Sequence, residues 1–394
     1  MKHRNIRVAI IGAGLGGLCL AQGLRKYGID FAVYEKDVSP NSRTQGYRIR
    51  IDYVGQMALK ECLSSDDYSL FKRTCSIASP KPQIMNPEMQ GEPKLVRSWS
   101  QDDSESPFAD QSANRLTMRE VLLERVRDSI FFGKAFSRYE IQANKTIKVI
   151  FADGSSILTD VLVAADGANS IFMKQWMPEL SSAESGAYCL YGKTAFDYDS
   201  ILPKPHLKAG TSVIFGDKLS AVIDVMKFDR STFRVKTSLT PVEDYIYFAL
   251  VGQKASFGFN DQNTFALDGE KISAIIQHAT RYWHSDLKDI FTMATPQSLA
   301  IMPVKTSNVL SSWQSSNITA LGDAVHTMSP AGGVGANTAL KDAHLLVLKL
   351  AFVKNGNADD ICAAINEYET EMRQYSARAI QDSIDGAEKL YGGS

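Results

Sequence analysis

The sequence predicts an α/β protein: a three-layer, discontinuous nucleotide-binding domain on a parallel sheet, with a mixed β-sheet domain inserted into it and helices at the C-terminal end. Three observations predict this. A strand-like apolar run, a glycine cluster and a helical stretch follow one another from Arg7 to Gly28. A second strand-then-glycine pattern appears in "NITALGDA", and the chain between Trp176 and Met302 is rich in alternating β-type segments such as "YCLYGKTAFDY" and "SAVIDVMKF".

Taken in order, "RVAII" reads as a buried strand, "GAGLGG" as a turn, and "LCLAQGLRKYG" as a helix that ends at Gly28. "IDFAVYEK" is the next strand and stops at Glu35, which completes a βαβ unit of Rossmann-like type. Between Ser76 and Asn114, prolines at 80, 82, 87 and 93 and the acidic "SWSQDDSESPFADQSAN" predict a hairpin with mobile loops. "RLTMREVLLERV" returns to helical spacing. "TIKVIFADGSSILTDVLVAADGANS" reads as strand, Asp-Gly turn, strand and a short buried strand. Long helices fill the chain from Asn337. The domains are therefore expected to be 1–75 with 110–175 and 303–394 for the nucleotide-binding part and its helices, and 76–109 with 176–302 for the substrate sheet.

At 394 residues, with 44% hydrophobic and 22% charged residues, the chain has material for two or three structural units. Lys and Arg (43) balance Asp and Glu (44), which argues against nucleic acid or an anionic membrane as partner and favours a small molecule. Five scattered cysteines without a CxxC pair suggest neither disulfides nor a metal site, so a reducing cytoplasm is expected. The basic, apolar start flows into the glycine motif without a cleavage-type region, and no run is long enough for a membrane span. A monomer accounts for the sequence as well as an oligomer does.

"GAGLGG" places Gly12, Gly14 and Gly17 in a G-x-G-x-x-G pattern. The first glycine permits the turn, the second lets a pyrophosphate approach the backbone, and the third lets helix pack on strand. Glu35 stands where a carboxylate accepts hydrogen bonds from a ribose diol. It would repel a 2′-phosphate, so FAD or NAD is expected and NADP is not. The late stretch "GDAVHTMSPAGGVGANTAL" gathers small residues before a helix and reads as a second cradle. His326 within it more often orders such a loop than acts as a base. No GxSxG or HExxH pattern or catalytic-cysteine signature is present.

"GAGLGG", "AADGANS" and "GDAVHTMSPAGGVGANTALKDAHLL", in that order, resemble the single-component (group A) FAD-dependent monooxygenases of the para-hydroxybenzoate hydroxylase type. The resemblance extends to "NRLTMREVLL" and "YETEMRQYSARA" and covers most of the nucleotide half. It implies FAD as cofactor and NAD(P)H as co-substrate. It further implies that Gly322 and Asp323 meet the ribityl chain, that Pro330, Gly333 and Gly335 pass close to the flavin ring, and that the helix starting near Ala336 or Asn337 points its amides at the pyrimidine edge. Arg115 corresponds to a flavin-contacting arginine and Asp166 to a residue near the pyrophosphate. Ala164 and Met173 depart from the pattern where the family has Gly and Arg, which affects docking of the nicotinamide donor. "RTQGYRIRID" falls where family members line the reactive face, so Gly46, Tyr47 and Arg48 are candidates there. The competing reading is that Arg48 and Arg50 form the solvated face of a strand. Tyr191, Phe196 and Phe215 are expected in the core rather than as a substrate platform.

The implied activity is hydroxylation of an aromatic or polycyclic, natural-product-like molecule through a flavin hydroperoxide, with epoxidation or Baeyer–Villiger insertion as variants. A flavin oxidase or dehydrogenase is the alternative enzyme. A non-catalytic binding protein, as among guanine-nucleotide dissociation inhibitors, is the alternative of another class, although such proteins need no intact cradle.

Overall fold

A computed structural model describes residues 6–40, 42, 47–77, 83–90, 94–95, 109–180, 182–195, 211–236, 238–258, 267–353 and 356–391. Five parallel strands form the first sheet, in the spatial order Ile318–Ala320, Val161–Ala164, Arg7–Ile11, Asp30–Glu35 and Ile130–Phe132. These strands are short and apolar because both faces are covered. On one face lie the helices Leu15–Lys26, Tyr53–Cys62 and Gly335–Ala351, and on the other a three-stranded antiparallel sheet of Phe136–Ile141, Ile147–Phe151 and Ser156–Thr159. Tyr34 of the parallel sheet meets Phe151 of the antiparallel one with ring centroids 4.7 Å apart.

The second large sheet has seven strands in the order Ala300–Thr306, Ala183–Ala195, Tyr245–Gln253, Leu219–Met226, Ser212–Ile214, Gln83–Met85 and Lys94–Leu95. Its strand alternation divides it into two faces. Leu190, Ile223, Phe248 and Leu250 pack under the helices Gly269–Ala279 and Ser285–Thr292, whereas Ala187, Cys189, Val213 and Val251 meet Leu390 and Tyr391. The 34-residue helix Ala358–Tyr391 thus joins both cores: Ile361, Ile365, Tyr368 and Met372 belong to the first, its final turn to the second.

Most of the acidic "SWSQDDSESPFADQSAN" stretch and prolines 80, 82 and 93 lie outside the described residues. Among the described residues of 76–114, Gln83–Met85 joins the seven-stranded sheet and Gln111–Asn114 pairs antiparallel with Arg48–Ile51. Among the described residues no helix is long and apolar enough to cross a membrane.

Candidate cofactor and active site

The glycine turn follows the first strand and opens the helix Leu15–Lys26. Gly12 has φ +110, and a Cβ there would lie 2.4 Å from the Ala165 carbonyl oxygen. A Cβ on Gly17 would lie 2.3 Å from the Gly12 carbonyl, so the first and third glycines are demanded by the protein's own backbone. Gly14 differs. Its backbone is extended (φ −75, ψ −179), and a Cβ there meets nothing within 4 Å. The protein leaves that space open.

The opening belongs to a cavity of about 250 Å³ whose lining includes Gly12, Gly14, Glu35, Arg115, Arg119 and Asp166. Glu35 Oε2 accepts the Ala13 N–H at 2.8 Å and Oε1 the Asp37 N–H at 3.0 Å. Arg119 was not singled out in the sequence, yet it braces the site. Its Nε donates to the Ala13 carbonyl at 2.9 Å, its Nη1 to the Pro40 carbonyl at 2.5 Å, and its Nη2 stands 3.7 Å from Glu35. It lies one helical turn after Arg115, on the same helix Arg115–Leu123, whose first turn is capped by the Asn114 side chain. That spacing is the signal that could have found it. Asp166 Oδ2 accepts the N–H groups of Ile171 (3.0 Å) and Phe172 (3.4 Å), while among the described residues its Oδ1 is buried without a partner, and burial raises its carboxyl.

The late stretch follows the strand Ile318–Ala320. Gly322 has φ +62, and its N–H donates to Asp342 Oδ2 at 2.7 Å. The same carboxylate holds His326 Nε2 at 2.6 Å and, through Oδ1, the Tyr375 hydroxyl at 2.5 Å. His326 is fully buried and orders the loop. Burial pulls its pKa down, but the adjacent Asp342 more than reverses this, and the net shift is upward. Asp323 is hemmed in by protein but exposed, which places its side chain on an internal hollow; burial pushes its carboxyl above the usual range against the pull of His326 and Arg115. A Cβ on Gly335 would sit 3.6 Å from Asp323 Oδ1, so the two ends of this late stretch meet.

Pro330–Gly332 form a single turn before the helix Gly335–Ala351. That helix has no side-chain cap, so the amides of its first turn, with Gly335, Ala336 and Asn337, are available to a ligand. The Asn337 side chain has another task. It donates to the Arg50 carbonyl (3.2 Å) and the Gly333 carbonyl (3.1 Å) and accepts the Asp52 N–H (3.1 Å), stapling the glycine loop to the strand Arg48–Ile51.

That strand corrects one expectation. Arg48 and Arg50 do not form a solvated face: Arg48 Nε meets the fully buried Asp224 at 2.8 Å, and Arg50 Nε meets Asp110 at 2.6 Å. Asp224 also accepts the Ser112 hydroxyl at 2.7 Å. Desolvating a carboxylate is costly without a cation, so Arg48 is drawn inward to the second sheet. Tyr47 packs on Tyr191 with ring centroids 5.0 Å apart, and the Arg115 guanidinium lies 5.7 Å from the Tyr47 ring. Tyr191 and Phe215 are half-buried at the edge of the second core; Gly46 and Phe196 lie outside the described residues.

The residues fit a dinucleotide carrying a flavin: an open glycine, a carboxylate beside it, an orphaned buried acceptor and an acid facing a hollow at a helix start. Comparison with known proteins agrees. Residues 142–383 match the FAD binding domain family, and residues 10–58 match the NAD(P)-binding Rossmann-like domain. A Photorhabdus luminescens crystal structure put forward as an FAD-containing monooxygenase is 30% identical, with a TM-score of 0.82 covering 98% of this chain and 99% of that one. The chain belongs to the FAD-dependent monooxygenase family. Another relative in this family is the dual O-methyltransferase/FAD-dependent monooxygenase CTB3 of Cercospora beticola. It is 32% identical over 407 residues, covering 98% of this chain and 46% of that protein. The chain thus spans about half the length of these curated relatives. Klebsiella pneumoniae HpxO complexed with FAD and uric acid shares the monooxygenase fold at 20% identity, with a TM-score of 0.77 covering 98% of this chain and 89% of that one.

Proposed function

We propose that the protein is an FAD-dependent monooxygenase that uses NAD(P)H and dioxygen to hydroxylate an aromatic or polycyclic small molecule held between the cofactor site and the seven-stranded sheet. The observation that carries this reading is the cavity that Gly14, Glu35, Arg115 and Arg119 line, together with the approach of Gly335, at the start of the helix Gly335–Ala351, to Asp323. Relatives whose names include FAD-dependent monooxygenase and FAD-dependent urate hydroxylase support it.

In this reading the amides around Gly14 and the Glu35 carboxylate hold the dinucleotide, Asp323 accepts from ribityl hydroxyls, and the helix start holds the pyrimidine edge. Arg115 and Asp166 complete the wall. Bound FAD supplies two-electron storage and activation of oxygen. The chain's own part is positional. The uncapped helix end places a positive field where reduced cofactor carries negative charge, worth about 0.3–2 kcal/mol. The Asn337 staple keeps the glycine loop against Arg50, and Tyr47 and Tyr191 close an aromatic wall that excludes water. The nucleotide-binding part comprises 1–75, 110–175 and 307–394, and the substrate part 76–109 and 176–306; the boundary moves from the expected 303 because the strand Ala300–Thr306 belongs to the seven-stranded sheet.

The test is consumption of NADH or NADPH by FAD-loaded protein under isotopically labelled dioxygen, with a panel of phenolic compounds. Label in an oxygenated product supports the reading. Substrate oxidation without oxygen, using an artificial acceptor, would transfer the protein to the oxidases or dehydrogenases.

A further inference from the structure

The face of the seven-stranded sheet turned toward the nucleotide-binding part carries an unusual cation. Lys193 lies two residues after Tyr191 on the strand Ala183–Ala195, and its neighbour in register is Tyr247, which is itself opposite Asp224. Period-two alternation puts Tyr191, Lys193, Tyr245, Tyr247 and Asp224 on one face. Contacts from the other part fix where that face looks. Tyr47 packs on Tyr191, Arg48 pairs with Asp224, and Asn114 Nδ2 donates to the Tyr245 hydroxyl at 3.1 Å.

The charges on this face are unevenly satisfied. Asp224 has Arg48 and the Ser112 hydroxyl. Lys193 is half-buried, and among the described residues no carboxylate stands within ion-pair distance; the group its ammonium meets is the Tyr245 ring, 4.9 Å from Nζ to the centroid. Burial lowers its pKa, with no opposing charge to restore it. A ring face compensates a desolvated ammonium only in part, so a positive charge held here is left short of an anion. Tyr191 and Tyr247 share the sheet face with it, and ring faces favour a flat aromatic partner.

We propose that Lys193 binds the anionic group of the substrate, so that the substrate class is an aromatic anion: a phenolate or enolate, or an aromatic carboxylate. The inference rests on the monooxygenase reading for the place of the substrate, and on the sheet face alone for its charge.

The experiment is equilibrium binding to FAD-loaded protein at about pH 8, where an acidic phenol is ionised, with para-nitrophenol as anionic probe, para-nitroanisole as its neutral counterpart and benzoate as carboxylate. Wild type is expected to hold para-nitrophenolate more tightly than para-nitroanisole. Lys193→Gln should weaken the anion about tenfold to a hundredfold, as loss of a charged hydrogen bond does. It should leave para-nitroanisole unchanged, and Lys193→Arg should recover most of the affinity. Displacement of para-nitrophenolate by benzoate assigns the site to carboxylates, and failure to displace assigns it to phenolates; either outcome supports an anion site. Equal binding of anion and neutral probe by wild type, or an unchanged anion affinity in Lys193→Gln, would overturn the inference. The FAD spectrum of the same samples separates the two failures: yellow protein without anion preference defeats this inference alone, whereas protein that takes up no FAD defeats the functional reading.

Discussion

Gly14→Ala is the sharpest perturbation of the cofactor site, because it adds a methyl group where the protein has nothing to collide with it. Alanine accepts the extended backbone at this position, and no protein atom lies within 4 Å of the new carbon. Two small terms act on stability and oppose each other. Restricting the unfolded chain stabilises by about 0.4–1 kcal/mol, while alanine is a poorer helix N-cap than glycine by a roughly similar amount. The melting temperature of FAD-free protein should therefore stay within a few degrees of wild type. FAD binding should suffer, since the methyl group holds the pyrophosphate away from the turn. Losing one charged hydrogen bond costs about 1.5–3 kcal/mol, or roughly tenfold to 150-fold in Kd. Gly17→Ala is the control, because its methyl group would lie 2.3 Å from the Gly12 carbonyl and must displace backbone. Its loss of stability should be at least about 1–3 kcal/mol. Thermal unfolding without FAD and fluorescence titration with FAD read the two effects separately. If Gly14→Ala bound FAD as tightly as wild type, the placement of the pyrophosphate would be wrong.

Other perturbations give equally definite outcomes. Asp323 has a raised carboxyl pKa, so between the ordinary carboxylate range and the raised value the folded state holds more protons than the unfolded state, and stability falls as pH rises through that window. Asp323→Asn should remove this dependence and raise the neutral-pH melting temperature of FAD-free protein, while weakening FAD; thermal scans across pH and FAD titration check both. His326 has a raised pKa, so its stabilisation is fully present below the unfolded value near 6.5 and is lost as pH climbs through the folded value. The stability gap between wild type and His326→Gln should accordingly narrow with rising pH, as measured by urea unfolding. Arg119→Met removes the donor to two carbonyls and the cation beside Glu35, and should cost about 3 kcal/mol with loss of FAD; unchanged unfolding and binding would contradict the bracing role.

The strand–glycine–helix start, Glu35 at its strand end and the late glycine loop were legible because each depends on local backbone chemistry: turn, cap and close approach are written in consecutive residues. The helix start at Gly335 fell one or two residues before the expected Ala336 or Asn337. The fate of Arg48 was not legible. Its partner Asp224 is 176 positions away, and only folding of the inserted sheet against the strand Arg48–Ile51 brings the two together. The role of Arg119 was hidden similarly, since its acceptors at Ala13 and Pro40 belong to segments that local pattern treats as complete. His326 shows the intermediate case. A histidine in a glycine loop suggested ordering, and the structure supplied the agents, Asp342 from the late helix and Tyr375 from the last one.

The central claim is that FAD reaches from the cavity at Gly14 to the start of the helix Gly335–Ala351. A crystal structure of the protein grown with FAD tests it most directly. The account predicts the adenine-bearing half between Glu35 and Asp166, the ribityl chain at Asp323 and the ring against the amides that follow Val334. Density for FAD at another place, or this cavity filled by side chains in a protein that does not take up the cofactor, would contradict it.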